Sequence, residues 1–271
     1  MIRFFSLPYD SGSKGLRMGA GPSRILQTLG ARGEEIAPAS EWRAEIKTSF
    51  ELYRALADAV HECVQLGDFP VVLSGNCGAA LGAAAGIGTS DLATLWFDAH
   101  GDYNTPDTTD SGFLDGMAMS ILAGRCWKGL ASTIPRFAPI PPRRLMHAGA
   151  RAYSPGERDA LLYDGVWLVE ALNLRETTVA PMLDAMRGEA SKLLVHLDVD
   201  AIDPRFGRAN HYAVDGGLSR DDILRMIELA SQRFTIAGLV IASYDPTCDD
   251  EGTIAEIAAR VIETVTSDVE A

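Results

Sequence analysis

Two segments of this chain read as an apolar strand that ends in metal-grade donors, and no other feature constrains the fold so strongly. Leu95-Trp96-Phe97-Asp98-Ala99-His100-Gly101-Asp102 places Asp, His and Asp at alternate positions. Leu193-Leu194-Val195-His196-Leu197-Asp198-Val199-Asp200 repeats the design with two more carboxylates. Acids packed this densely at buried strand ends repel one another, and a pair of divalent cations neutralises them where a purely protein environment seldom can. The two runs point to a two-metal hydrolase.

The rest of the chain supplies a matching scaffold. Short continuous apolar runs predict strands at 2–7, 70–73, 93–97, 144–147, 166–169, 193–197 and 237–242, with a weaker candidate at Glu35-Ile36. Continuous rather than alternating runs belong to parallel strands covered on both faces. Between them lie helical stripes: Leu52, Leu56, Ala59, Val60, Cys63 and Val64, then Ile223, Met226, Ile227 and Ala230, then Ile254, Ile257, Ala258, Val261 and Ile262. Ser219-x-x-Asp222 and Thr253-x-x-Glu256 each predict a helix N-terminal cap. No Ser/Gly-rich or Pro-rich linker interrupts the alternation, so one doubly wound α/β domain over residues 1–271 is expected.

The stretch from Phe69 to Ser90 carries no charge and is long enough to cross a bilayer, but Pro70, Ser74, Gly75, Asn76 and Gly78 break it. It reads as a buried strand, a tight turn and an Ala-rich helix. A formal net charge of -13 disfavours nucleic acid and anionic membranes as partners and leaves small cationic or zwitterionic ligands open. Cys63, Cys77, Cys126 and Cys248 form no Cys-x-x-Cys pair, and Met1 to Pro8 lacks the features of a signal peptide, so a reduced, cytoplasmic protein is expected.

Open α/β sheets bind ligands in the crevice at the carboxyl ends of their strands. Asn76-Cys77, Asp98-His100-Asp102, Gly149-Ala150-Arg151, Asp198-Asp200 and Ser243-Tyr244-Asp245 all fall at such ends, so five strand ends are expected to converge on one site. His61 is expected on a helix surface and His147 within a strand, both structural. His196 is expected either on the face opposite Asp198 and Asp200 or packed in the sheet. His211, in a loop after the second acidic run, is a weak candidate for reaching the cleft.

Asp98-Ala99-His100-Gly101-Asp102 followed by Asp198-Val199-Asp200-Ala201-Ile202-Asp203-Pro204 resembles the paired signature of the arginase or ureohydrolase superfamily. The segment from Asp102 to Gly116 is similar to the arginase branch in particular, and the likeness runs from Gly19-Ala20-Gly21-Pro22 to Tyr244-Asp245-Pro246. The resemblance implies a three-layer α-β-α fold with a mainly parallel, roughly eight-stranded sheet. It also implies a manganese-dependent hydrolase that cleaves a C–N bond in a guanidino, hydroxyguanidino or related amidine group of a small amino-acid-like substrate. Asp98 and Asp198 would bridge both ions, Asp102 would bind the first, and His100 with Asp200 would complete the second. Two Mn²⁺ ions held so would make hydroxide available near neutral pH. Family members are commonly trimers or hexamers, which makes a homo-oligomer the expected assembly.

Several positions depart from the family pattern. Where it usually reads Gly-Gly-Asp-His, this chain reads Ser74-Gly75-Asn76-Cys77, so a thiol stands in place of a metal-binding imidazole. Soft thiolate suits Mn²⁺ poorly, so Cys77 would weaken the first site or shift it toward zinc or iron; its plainer role is to fill a core gap. A few family members acting on a hydroxyguanidino amino acid are thought to share a Cys there. Asn104, Thr109 and Ser111 match residues that hold the substrate α-carboxylate, although such side chains also satisfy turn backbone. Glu157 of the loop expected to receive the α-amino group is kept, whereas Ser154 replaces an Asp. Asp115 stands where arginases place a proton-transferring His, and is read as a catalytic residue with His100 or as a solvated helix-start acid. Ser243 stands where a Glu normally pairs with the guanidinium, which favours a less basic substrate.

Two other classes remain open from sequence: a degenerate, weakly metal-binding homologue or partner subunit without turnover, and a two-metal phosphoesterase. The second lacks the Gly-Asn-His-Asp/Glu run that its pattern requires after the Asp-x-His.

Overall fold

The computed structural model describes residues 1–42, 44–171 and 174–267. In chain order the strands are β1 (Ile2–Leu7), β2 (Tyr9–Asp10), β3 (Ser13–Lys14), β4 (Glu34–Glu35), β5 (Phe69–Ser74), β6 (Leu92–Phe97), β7 (Leu145–Ala148), β8 (Trp167–Val169), β9 (Lys192–Asp198) and β10 (Thr235–Ala242). The helices are α1 (Gly21–Leu29), α2 (Glu45–Gln65), α3 (Ala79–Ile87), α4 (Ala118–Leu122), α5 (Lys128–Ala131), α6 (Glu157–Asp164), α7 (Glu176–Arg187), α8 (Arg220–Ser231) and α9 (Thr253–Thr266).

Eight strands form one sheet in the order β4-β1-β5-β10-β9-β6-β7-β8, and every pairing in it is parallel. Seven coincide with the apolar runs read from sequence, and the eighth, β4, is a pair of exposed glutamates that overlaps the candidate at Glu35-Ile36 by one residue. The exception outside the sheet is the small antiparallel hairpin of β2 and β3, which turns through Ser11 and Gly12, both at positive φ. Two positive-φ residues suit a tight hairpin, and its two-residue strands carry no hydrophobic period that would announce it.

Successive side chains of each strand point to opposite faces, so each face buries its own layer. Val72, Trp96, Leu194 and Val240 pack with α2 and α3 through Phe50, Leu52, Leu56, Val60 and the alanines of α3. Val71, Leu73, Leu95, Phe97, Val195, Leu197 and Ile241 pack on the other side with Ile25 of α1, Leu183 of α7, Ile223 of α8 and Ile254 of α9. The result is the expected three-layer arrangement.

The uncharged Phe69–Ser90 stretch is β5, a turn and α3. Every residue of α3 is buried, because its small side chains let α2 approach closely. A Cβ added at Gly86 would lie 2.6 Å from Val60 Cβ, and one at Gly82 would lie 2.7 Å from the Tyr53 carbonyl oxygen. Among the described residues, no helix is long and apolar enough to cross a membrane.

The cap expected at Ser219 is present in both directions: Asp222 N donates to Ser219 Oγ and Ser219 N to Asp222 Oδ2. The cap expected at Thr253 is not. Gly252, at φ 75°, precedes α9, and Asp249 does the capping, accepting from Ile254 N at 2.9 Å and Ala255 N at 3.4 Å. A buried carboxylate from the preceding turn reaches the free N–H groups, so Thr253 is left as the first helical residue.

Candidate metal centre

The sheet order decides where the site lies. β5, β10, β9, β6 and β7 are consecutive neighbours. Their carboxyl ends carry Cys77, Ser243, Asp198 with Asp200, Asp98 with His100 and Asp102, and Arg151, so the expected convergence occupies the middle of the sheet. Arg151 serves as a brace: its guanidinium donates to the carbonyls of Gly149, Asp200, Ala201 and Val214.

Two groups of donors come together there. Cys77 Sγ and carboxylate oxygens of Asp98 and Asp198 lie within 4.8 Å of one another, and so do donor atoms of Asp98, His100 and Asp200. Asp98 is common to both, and it is close enough to Asp198 for the pair to touch one ion. Asp102 stands outside both groups on a residue with φ 50°, and its Oδ2 is buried without a hydrogen-bond partner among the described residues.

Local hydrogen bonds fix these acids. Asp98 accepts from His100 N at 2.8 Å and from Trp96 Nε1 at 3.1 Å. Asp198 accepts from Asp200 N and from the Cys77 thiol, each at 2.9 Å. Asp200 accepts from Ala99 N and Asn210 Nδ2, each at 3.2 Å. Turn N–H groups on one oxygen and the side chains of Trp96, Cys77 and Asn210 on the other thus hold each of these three carboxylates in place.

The electrostatics are those of negative charge gathered without enough countercharge. Burial, and then the neighbouring Asp98, Asp115 and Asp198, push the Asp102 carboxyl well above the usual range. Burial with Asp200 and Asp98 does the same to Asp198. Burial would depress His100, but contacts with Asp200 at 3.4 Å and Asp98 at 3.5 Å carry its pKa up to about 11. Burial also raises Asp200, yet the bond to His100 and the charge of its ring outweigh it and leave that acid lowered. The Cys77 thiol is pushed up by burial first and Asp198 second. A single imidazole cannot neutralise four carboxylates, whereas divalent cations can. The unpartnered Asp102 oxygen and the N, O and S donor set both fit such ions.

A cleft of about 760 Å³ opens above this cluster. His100, Asp102, Asp198, Asp200 and Ser243 lie on its wall, whereas Cys77 and Asp98 sit behind it. Asn104, Thr109, Ser111, Ser154, Glu157 and Asp115 also face the cleft. Asn104 Nδ2 donates to Ser154 Oγ at 3.1 Å and Glu157 Oε1 at 3.0 Å, tying these three into one unit. Glu157 also accepts from Tyr103 N and Ser154 N, so it braces two loops as it faces the cleft. At the mouth, half-buried Thr109 and exposed Ser111 accept from Gly112 N and Phe113 N, as turn residues do. Asp115 is half-buried rather than freely solvated: Asn76 Nδ2 donates to it at 2.8 Å and Gly78 N at 3.2 Å. Burial raises its pKa to about 7 against those bonds.

Sequence reasoning missed other contributors. Asn210 Nδ2 reaches both Asp200 Oδ2 and the Ser243 carbonyl, and Phe113 stacks on Tyr212 with centroids 5.8 Å apart at the cleft mouth. The N-terminal segment contributes Ser11, Arg17 and Met18 to the cleft. Trp96, whose Nε1 bonds Asp98, was also missed, although its place two residues before Asp98 puts both on one face and was the signal that could have found it. His196 likewise shares the face of Asp198, so the opposite-face alternative fails. It is packed in the sheet, stacked on Trp96 with centroids 3.7 Å apart. His147 is buried in β7, His61 is half-buried on α2, and His211 is exposed and does not line the cleft.

Acids, an imidazole and a thiol at the strand ends of a three-layer sheet define an α/β protein with a candidate binuclear metal centre. The description of the Arginase family matches residues 1–267. Arginase from Agrobacterium fabrum is 30% identical over 214 residues, covering 75% of this chain and 65% of that protein, so the chain spans just under two thirds of this relative. N(omega)-hydroxy-L-arginine amidinohydrolase from Streptomyces lavendulae is 28% identical over 224 residues, covering 82% of this chain and 77% of that protein. The solved structure of arginase from Bacillus caldovelox has the same fold, with a TM-score of 0.85 over 97% of both chains at 23% identity. This chain belongs to the arginase family.

Proposed function

We propose that residues 1–271 form a single manganese-dependent ureohydrolase-like enzyme that hydrolyses a C–N bond in a guanidino, hydroxyguanidino or related amidine group of a small amino-acid-like molecule. The observation that carries this reading is the pair of donor groups sharing Asp98, set beneath the cleft. Cys77, Asp98, His100, Asp102, Asp198 and Asp200 would hold the ions, which when bound supply Lewis acidity and lower the pKa of water.

The chain's own residues supply orientation and proton traffic. Asn104, Thr109 and Ser111 offer hydroxyl and amide groups to a carboxylate, while Ser154 and Glu157 face the position of an amino group. Asp115, with a pKa raised to about 7, is suited to give and take a proton near neutrality, and His100 lines the same cleft. Ser243 places no anion at the far end, so a fully charged guanidinium loses a charge-assisted partner worth roughly 1.5 to 3 kcal/mol. A hydroxyguanidine or formimino group is thereby favoured over arginine, in keeping with the name of the Streptomyces relative.

A cytoplasmic homo-oligomer is the accompanying expectation. A non-catalytic partner subunit is not favoured, since the donor groups and cleft are assembled and the relatives are named as hydrolases. Release of urea, hydroxyurea or ammonia is to be measured with manganese across arginine, hydroxyarginine, agmatine and formiminoglutamate. Turnover of at least one is expected, and silence across the panel with metal bound would sink the proposal.

A further inference from the structure

We propose that His211, Asp245 and Cys248 form a separate site for one zinc-class divalent cation, on the loop whose Asn210 and Tyr212 line the cleft. An imidazole nitrogen, a carboxylate oxygen and Sγ of these three residues lie within 4.8 Å of one another. Mixed N, O and S donors are what zinc and its borderline relatives take, and hard ions such as Mg²⁺ do not seek the thiol.

The donors come from two segments already stitched together. Asp245 N donates to the Ala209 carbonyl at 2.8 Å, and Asn210 Nδ2 donates to the Ser243 carbonyl at 2.8 Å. Tyr212 N donates to Asn210 Oδ1 at 2.8 Å, and Arg208 Nη2 donates to the His211 carbonyl at 3.4 Å. The main chains that present the ligands are therefore fixed before any ion arrives, which limits the ordering cost of binding.

Asp245 is 1% exposed. Its Oδ1 accepts from Thr247 N at 2.9 Å and Thr247 Oγ1 at 2.7 Å, which leaves Oδ2 as the oxygen for a cation. Burial, followed by Asp245, holds the Cys248 thiol above its ordinary pKa, so binding must expel the thiol proton to solvent while the thiolate takes the ion. His211 is exposed, so a fourth coordination position is left to water. An ion here would clamp the 208–212 loop to the turn after β10. That loop carries Asn210, which bonds Asp200, and Tyr212, which lines the cleft. The site stands on its own geometry and does not depend on the proposed hydrolase activity.

The test uses Co²⁺ as the probe, added to the chelator-stripped full chain and followed by absorption. A thiolate on Co²⁺ gives a near-ultraviolet charge-transfer band, but Cys77 would give one as well, so the titration is run in Cys77→Ser. The expected result is a saturable band in Cys77→Ser that is lost in Cys77→Ser/Cys248→Ser and weakened in Cys77→Ser/His211→Ala, with circular dichroism unchanged. Absence of the band in Cys77→Ser, or its survival without Cys248, overturns the proposal. Should the Cys248 variant misfold, the surface variant His211→Ala decides: unaltered Co²⁺ affinity there also overturns it.

Discussion

The Cys77 thiol donates to Asp198 Oδ2 at 2.9 Å, which puts a protonated sulfur among the carboxylates where the family pattern has an imidazole. Manganese loading of the native chain is therefore expected to stop short of two ions, and Cys77→His is expected to raise retention. Metal analysis after gel filtration checks both; tight binding of two ions by the native chain would count against this role for Cys77.

Ser243 lies on the cleft wall 3.4 Å from the same sulfur and carries no charge. Ser243→Glu should shift relative kcat/KM toward arginine over hydroxyarginine, by an amount bounded by the roughly 1.5 to 3 kcal/mol of a charge-assisted bond. A selectivity ratio that does not move, with the variant folded, would remove this residue from the specificity argument.

Trp96 touches the centre through one bond, Nε1 to Asp98 Oδ2 at 3.1 Å, while its ring lies against His196. Trp96→Phe keeps much of the ring and deletes the donor. Metal affinity should fall by about 1.5 to 3 kcal/mol, the range for a hydrogen bond to a charged group. Isothermal titration reads the affinity, and a melting temperature lowered without any change in affinity would assign Trp96 to packing alone.

At the opposite end of the sheet, Asp91 accepts from Ser191 N at 2.6 Å and from Ser191 Oγ. Those two bonds hold its carboxyl below the ordinary range despite a small opposing effect of burial. A depressed acid stabilises the fold above its unfolded pKa and loses that contribution as pH falls through its folded pKa. Ser191→Ala should therefore lower stability at neutral pH by less than about 1 kcal/mol at this exposed site, with the difference from native shrinking below pH 4. Urea unfolding at a series of pH values measures it; a constant difference at every pH would rule the linkage out.

The large sheet was legible because buried parallel strands require continuous apolar runs, and seven of its eight members coincide with one; β4, two exposed glutamates at the sheet edge, does not. The acids of the candidate centre were legible for the related reason that such strands end where ligands bind. Elements set by polar geometry were not. The β2–β3 hairpin rests on a turn at Ser11-Gly12, and the cap of α9 comes from Asp249, outside the Thr253-x-x-Glu256 pattern. Asn210 reaches Asp200 only because a loop folds back, which no periodicity encodes. The parity of positions 196 and 198 did contain the answer for His196, since residues two apart in a strand share a face.

β10 is the last strand in the chain, yet it sits between β5 and β9. Cys77 and Asp198 therefore face one another across an inserted strand, and an ion that needs both donors would need β10 in place first.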